Sequence, residues 1–179
     1  TQELNPVMLI LIGALLGIMM SIDLGGPINK TAYTFGIIGI FIGRYDLMSA
    51  VMLTGMLPPL IIWLTMLITH IFNDEERKQK WSCLFNGLCF VSEAAIPYMQ
   101  KNKYTIHYPC IIASAIAGAF SMYFGCSQAF PHGGIWTFMF INQPLYFAFS
   151  LVLSTVIGTL FIIFTKYLLS YYHKTRVEP

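Results

Sequence analysis

Two ionisable side chains stand where so apolar a chain has little reason to keep them. Glu93 lies in Ser92-Glu93-Ala94-Ala95-Ile96-Pro97, between apolar runs, and His132 lies in Pro131-His132-Gly133-Gly134. A carboxylate in apolar surroundings is costly unless it faces water, a cation or a ligand. The glycines beside His132 let the backbone approach a ligand closely and hold the imidazole at a loop tip. A third polar break, Asp23-Leu24-Gly25-Gly26-Pro27-Ile28-Asn29-Lys30, supplies a carboxylate, an amide and an ammonium. Asp23 and Lys30 are expected to pair across it, and Asn29 to donate to a ligand hydroxyl. Carboxylate, imidazole and amide groups among aromatics suit a polyhydroxylated ligand, because each hydroxyl both donates and accepts and sugar faces stack on rings. Plainer roles stay open for each: Glu93 as a helix cap, His132 as a structural histidine, and the Asp23–Lys30 segment as a tied-down loop.

The elements that must position these groups are set by a membrane composition. Of 179 residues, 56% are hydrophobic and 10% charged, against about 25% charged in soluble domains. The placement of the charges decides the class: the 62 residues from Tyr104 to Thr165 contain no Asp, Glu, Lys or Arg. Further uncharged runs cover Asn5 to Ile22 and Leu47 to Asn73, and a helix needs about 20 mostly apolar residues to cross the hydrocarbon layer. Tyr104, Tyr108, Tyr171 and Tyr172 sit near span ends, as interfacial belts require.

The same inventory excludes several classes. A net charge of +2 with no basic stripe argues against a nucleic-acid partner. Cys83, Cys89, Cys110 and Cys126 show no CxxC spacing and are read as buried thiols, so neither metal, cofactor nor disulfide framework is expected. No Walker-type phosphate loop, nucleophile elbow or HExxH is present, so transport driven by the chain's own nucleotide hydrolysis lacks its parts. Energy must come from a gradient or from another polypeptide. The chain opens on Thr1 without a basic n-region, so its first apolar run is not read as a signal peptide, and a fragment of a longer protein is expected.

Along the chain, Pro6 to Ile22 predicts an apolar helix whose Gly13, Ala14 and Gly17 admit a close neighbour. Thr31 to Gly43 is short for a crossing and predicts a half-helix or a tilted broken span. Leu47 to Phe72 predicts a long span kinked at Pro58-Pro59. Arg44 and Asp46 mark an interfacial turn, and Asn73 to Lys80 a solvated loop. Trp81 to Val91 is too short to cross and predicts a re-entrant hairpin with Glu93 near its tip. Tyr108 to Ser127 predicts a span, Gln128 to Pro144 a second re-entrant element, and Leu145 to Thr165 the final span. Lys166, Lys174 and Arg176 then place the C-terminus in the cytoplasm. The result is an all-α, polytopic transmembrane helical bundle with broken helices and re-entrant hairpins. It has four secure spans in one membrane domain, 1–179, with a cytoplasmic tail at 166–179. His70 and His107 receive no role.

Four strings carry a resemblance: DLGGPINKTAYTFG (Asp23 to Gly36), GMLPPL (Gly55 to Leu60), GLCFVSEAAIPY (Gly87 to Tyr98) and FPHGGIW (Phe130 to Trp136). In type and order they resemble the blocks of fructose-family enzyme IIC components of the bacterial phosphotransferase system, over about residues 10 to 165, as a C-terminal portion. The resemblance implies a homodimeric, multi-pass transporter of the inner membrane, surrounded by lipid, that moves fructose or a related hexose or hexitol. A cytoplasmic IIB component carrying a phosphorylated cysteine would phosphorylate the sugar on release. By the same resemblance Glu93 binds sugar hydroxyls and polarises the attacking one, and His132 holds the sugar or steadies the phosphoryl group. Asp23, Asn29, Lys30, Pro97, Gly133 and Gly134 would line the sugar site. The chain departs from the family pattern at Ala94, where glycine usually follows the Glu, and at Met99, which replaces a small residue; both bear on specificity. It has about half the family's usual length. A gradient-driven transporter and a non-transporting remnant are the rival readings.

Overall fold

The computed structural model of the chain describes residues 5–177, with side chains as far as residue 171. It is helical: α1 (Pro6–Ile22), α2 (Pro27–Phe41), α3 (Tyr45–Ile68), α4 (Asp74–Lys78), α5 (Lys80–Leu88), α6 (Ile96–Lys101), α7 (Lys103–Tyr123, opening on a π turn) and α8 (Pro144–Val177). Short 3-10 turns occupy Ser92–Ala95 and Ile135–Phe140. Among the described residues, α3, α7 and α8 are long and apolar enough to cross a membrane. α1 is not the fourth full span expected: its 17 residues reach about 25 Å at 1.5 Å per residue, short of a hydrocarbon core of roughly 30 Å.

α3 is the central column. Every residue from Leu47 to Ile62 is buried, the signature of a helix apolar on all sides and surrounded by others. Pro58 and Pro59 lie inside it without interrupting its assignment, so the expected kink does not divide the element. α8 has the opposite character. Leu145, Phe149, Val152, Val156, Leu160 and Phe164 form an exposed stripe at helical spacing, while Phe147 and Ile162 face the core. α8 continues through Lys166 to Val177 without a break, and the tail read at 166–179 lies within the described residues only to 177.

α1 and α7 run antiparallel along a seam of small residues. A β-carbon on Gly13 or Gly118 would collide with the other's carbonyl, and one on Gly17 with the carbonyl of Ser114. The Ser21 hydroxyl donates to Ser114 Oγ at 2.6 Å. This is the close approach that small residues at four-residue spacing permit between membrane helices. α7 starts earlier than Tyr108, in the π turn from Lys103, and ends earlier than Ser127. Gly125, with φ +66, closes it in a Schellman arrangement, its N–H donating to Met122 O and that of Cys126 to Ser121 O.

The solvated stretch after α3 is more ordered than a loop. Asn73 and Glu76 form a reciprocal capping box that folds α4, and Glu76 reaches Lys101 at 3.0 Å. Arg44, at the N-cap of α3, and Asp46, in its first turn, form an ion pair at 2.6 Å. Cys83, Cys110 and Cys126 are buried and Cys89 half-buried, all unpaired, and the described residues contain no cluster of His, Cys, Asp or Glu fit for a metal.

Candidate functional site

Two hairpins enter the bundle from opposite ends and touch beside the middle of α3. The first is α5, the turn at Cys89–Glu93 and α6. It starts from the end where α3 finishes, and its base is fastened by the Glu76–Lys101 ion pair and by edge-to-face packing of Phe72 on Tyr98, centroids 5.7 Å apart. The second is the segment between α7 and α8. It starts from the other end, where Asn142 N–H donates to Ser127 O at 2.9 Å and Gln128 N–H to Tyr45 O at 3.0 Å. Contacts along α3 give the depth: a β-carbon on Gly87 would meet Leu60, the Phe90 ring fills the place of one on Gly55, and Met52 fills that of one on Gly133. At 1.5 Å per residue the tips meet roughly 15 Å from the Tyr45 end and 20 Å from the Ile68 end.

The tips interlock because glycine removes side chains where backbones approach. Gly134, at φ +94, presses on Leu88 O and Cys89, and Gly133 on the Phe90 ring. Phe90 itself adopts φ +65, a conformation costly for a bulky residue. Its ring is held between Gly55, Gly133 and, at 6.5 Å between centroids, Tyr33 of α2.

Glu93 sits in the 3-10 turn beyond Phe90, exposed, and its side chain lies over the α1–α2 turn. Its Oε1 is 2.9 Å from where a β-carbon on Gly25 would stand, and no hydrogen bond or ion pair engages the carboxylate among the described residues. Pro97 starts α6 at its first turn, where a missing N–H costs nothing. His132 is exposed at the second tip. Its Nδ1 lies 3.1 Å from Gly133 O; a carbonyl only accepts, so Nδ1 carries hydrogen there and Nε2 is a free acceptor in the neutral ring.

The Asp23–Lys30 break is organised differently from expectation. Asp23 and Lys30 form no ion pair. Asp23 instead accepts the N–H groups of Ile28 and Asn29, both at 2.8 Å, and so caps α2, while the Lys30 side chain is exposed. Asn29 is buried and its Nδ2 donates to Met20 O at 2.5 Å, joining α2 to the end of α1. Both residues hold the turn on which Glu93 rests. The structure thus brings together Glu93 with Gly25, and Gly133 and Gly134 with the first tip.

Three contributors escaped sequence reading. Gln128, 1% exposed, donates from Nε2 to Phe130 O at 3.1 Å and to His132 O at 2.6 Å, fixing the loop that carries His132. Tyr33 donates its hydroxyl to Pro131 O. His107 bonds Ser21 O through Nε2 at 3.1 Å, tying α7 to the end of α1 just before the turn. Gln128 is one of three amides in the charge-free stretch and Tyr33 follows Asn29 by one helical turn, but the acceptors of Tyr33 and His107 are distant in sequence.

Over 157 residues the chain is 39% identical to the fructose permease IIC component of Bacillus amyloliquefaciens, covering 87% of this chain and 51% of that protein. It is 38% identical over 149 residues to the fructose-specific EIIC component of the PTS system of Haloferax volcanii, covering 83% of this chain and 40% of that protein. It is 35% identical over 169 residues to the fructose-specific EIIB'BC component of Escherichia coli K12, covering 92% of this chain and 30% of that protein. No family model and no solved structure matches. The chain spans about half the length, or less, of these curated relatives, and over that length it belongs to the fructose-specific IIC family of the phosphotransferase system.

Proposed function

We propose that the chain contributes the sugar-handling hairpins of a translocating IIC subunit in a phosphoenolpyruvate-dependent phosphotransferase system, with fructose or a related hexose or hexitol as substrate. One observation carries this reading: two hairpin tips and a broken-helix turn meet beside mid-α3, leaving one unpaired carboxylate and one imidazole at the junction. Irregular backbone at that depth is tolerated where it lines a cavity or is buried in protein.

In the chemistry proposed, Glu93 accepts the proton of a sugar hydroxyl as that oxygen attacks phosphorus. The phosphoryl group leaves a cysteine thiolate of a cytoplasmic IIB component, the sugar oxygen–phosphorus bond forms and the sulfur–phosphorus bond breaks. His132 Nε2 accepts from a sugar hydroxyl when neutral and, when protonated, faces the phosphoryl oxygens. Asp23, Asn29 and Gly25 hold the seat of Glu93, Pro97 sets the return leg of its hairpin, and Gly133 and Gly134 bring the second tip into place. Lys30, exposed at the start of α2, is the remaining polar group offered to substrate. The catalytic role belongs to the complex, since the phosphoryl donor is the partner.

The names of the relatives support this partnership, because the Escherichia coli protein joins IIB to IIC in one chain. Arg77, Lys78, Lys80, Lys101, Lys103 and Lys166 gather at one end of the bundle, which supports a cytoplasmic position for that end and for the C-terminus in an inner membrane. Lipid covers the outer stripe of α8, and a homodimer completes the assembly. Uptake of labelled fructose and mannitol into vesicles, with and without phosphoenolpyruvate, tests the reading. Uptake that needs the phosphodonor supports it; uptake that persists without it assigns the chain to a gradient-driven transporter.

A further inference from the structure

We propose that Tyr33 is a positioning residue that ties the two hairpin tips together, and that its bond to Pro131 is released when the tips part for substrate; the role in transport rests on the translocator reading above. Tyr33 stands on α2, which belongs to neither hairpin. Its hydroxyl donates to the Pro131 carbonyl of the second tip, and its ring lies 6.5 Å from that of Phe90 in the first, at 33° between planes.

The tips themselves meet through apolar and glycine contacts, Gly133 on Phe90 and Gly134 on Leu88 and Cys89. Gly133 and Gly134 are buried, so the junction is closed and a hexose passing between the tips requires them to separate. Dispersion contacts weaken steeply with a small gap, and the Tyr33–Pro131 hydrogen bond is lost as its geometry opens. Tyr33 is half-buried, so water can take over both hydroxyl and carbonyl once the bond opens. A phenol that bridges α2 to one tip while packing on the other makes α2 a party to the separation, and with it the Asp23–Gly26 turn that seats Glu93.

The chain carries its own reporter. Cys89 is at the first tip and half-buried, while Cys83, Cys110 and Cys126 are buried. Maleimide labelling of the full chain in membrane vesicles, without sugar or phosphodonor, therefore reads tip opening at Cys89, and a Cys89→Ser control reads the other three thiols. Tyr33→Phe removes the hydroxyl and keeps the ring. With an opening equilibrium shifted by one ordinary hydrogen bond, Cys89 labelling should quicken about five-fold, with a thermal midpoint within about 4 °C of wild type. An unchanged Cys89 rate overturns the proposal. So does a rise shared by Cys83, Cys110 and Cys126, which reports general loosening. Because labelling needs no transport, its failure is separate from failure of phosphodonor-dependent uptake.

Discussion

Oε1 of Glu93 lies 2.9 Å from the point where a β-carbon on Gly25 would stand, and Gly25 has φ +80. A residue of the first hairpin thus rests on a turn between two other helices, and only a missing side chain makes room. Gly25→Ala would both strain the backbone, by about 1 kcal/mol, and push the carboxylate from its seat. On the role proposed for Glu93, transport kcat/KM should fall at least about ten-fold while the thermal midpoint drops by only about 2–4 °C, because misplacing a general base costs far more in rate than in stability. Uptake kinetics beside a melting curve check this.

The α1–α7 seam should respond in the opposite way. Gly17→Val adds side-chain atoms where even a β-carbon would collide with Ser114 O, and overpacking a closed interface costs about 1–3 kcal/mol. The expected outcome is a lower thermal midpoint and less folded protein in membranes, read by fluorescence-detected gel filtration after heating. Gly125→Ala, where no atom lies within 4 Å of the added β-carbon but φ is +66, should cost less, about 1 kcal/mol.

Gln128→Leu removes the donor that holds Phe130 O and His132 O. Both bonds are only part-buried, so each loss costs about 0.5–1.5 kcal/mol, enough for the loop bearing His132 to loosen. The expected readout is faster proteolysis between residues 128 and 134 together with a raised sugar KM. Gln128→Leu that leaves both unchanged would show that the loop is held by its glycine contacts alone.

Lys101→Ala should do little. The Glu76–Lys101 pair spans 3.0 Å, but the lysine side chain is 62% exposed, and exposed pairs contribute about 0–1 kcal/mol. Phe72 packed on Tyr98 is the stronger fastening of the hairpin base, so Tyr98→Ala should lower the thermal midpoint well beyond Lys101→Ala.

Much of this architecture is written in local signals. The charge-free run from Tyr104 to Thr165 and the apolar column from Leu47 to Ile62 mark α7, α8 and α3 by length and hydropathy alone. The two hairpins are legible because Trp81–Val91 and Gln128–Pro144 are too short or too broken to cross. What the sequence hides depends on valence and distance. Asp23 near Lys30 suggests an ion pair, yet the free N–H groups of Ile28 and Asn29 at the start of α2 are nearer and take the carboxylate. Lys103 looks like a loop residue, but a long lysine can sit on a helix end with its charge in water, and α7 begins there. Tyr33 and Pro131 are 98 residues apart, and no period or spacing links them.

The central claim is that Glu93 and His132, on turns brought together beside mid-α3, serve one sugar and one phosphoryl transfer. Phosphoenolpyruvate-dependent uptake of labelled fructose in vesicles, comparing wild type with Glu93→Gln and His132→Ala, tests it most directly. The account predicts uptake that requires the phosphodonor and collapses in both variants while both remain folded in the membrane. Uptake that survives Glu93→Gln and His132→Ala at the wild-type rate would contradict it.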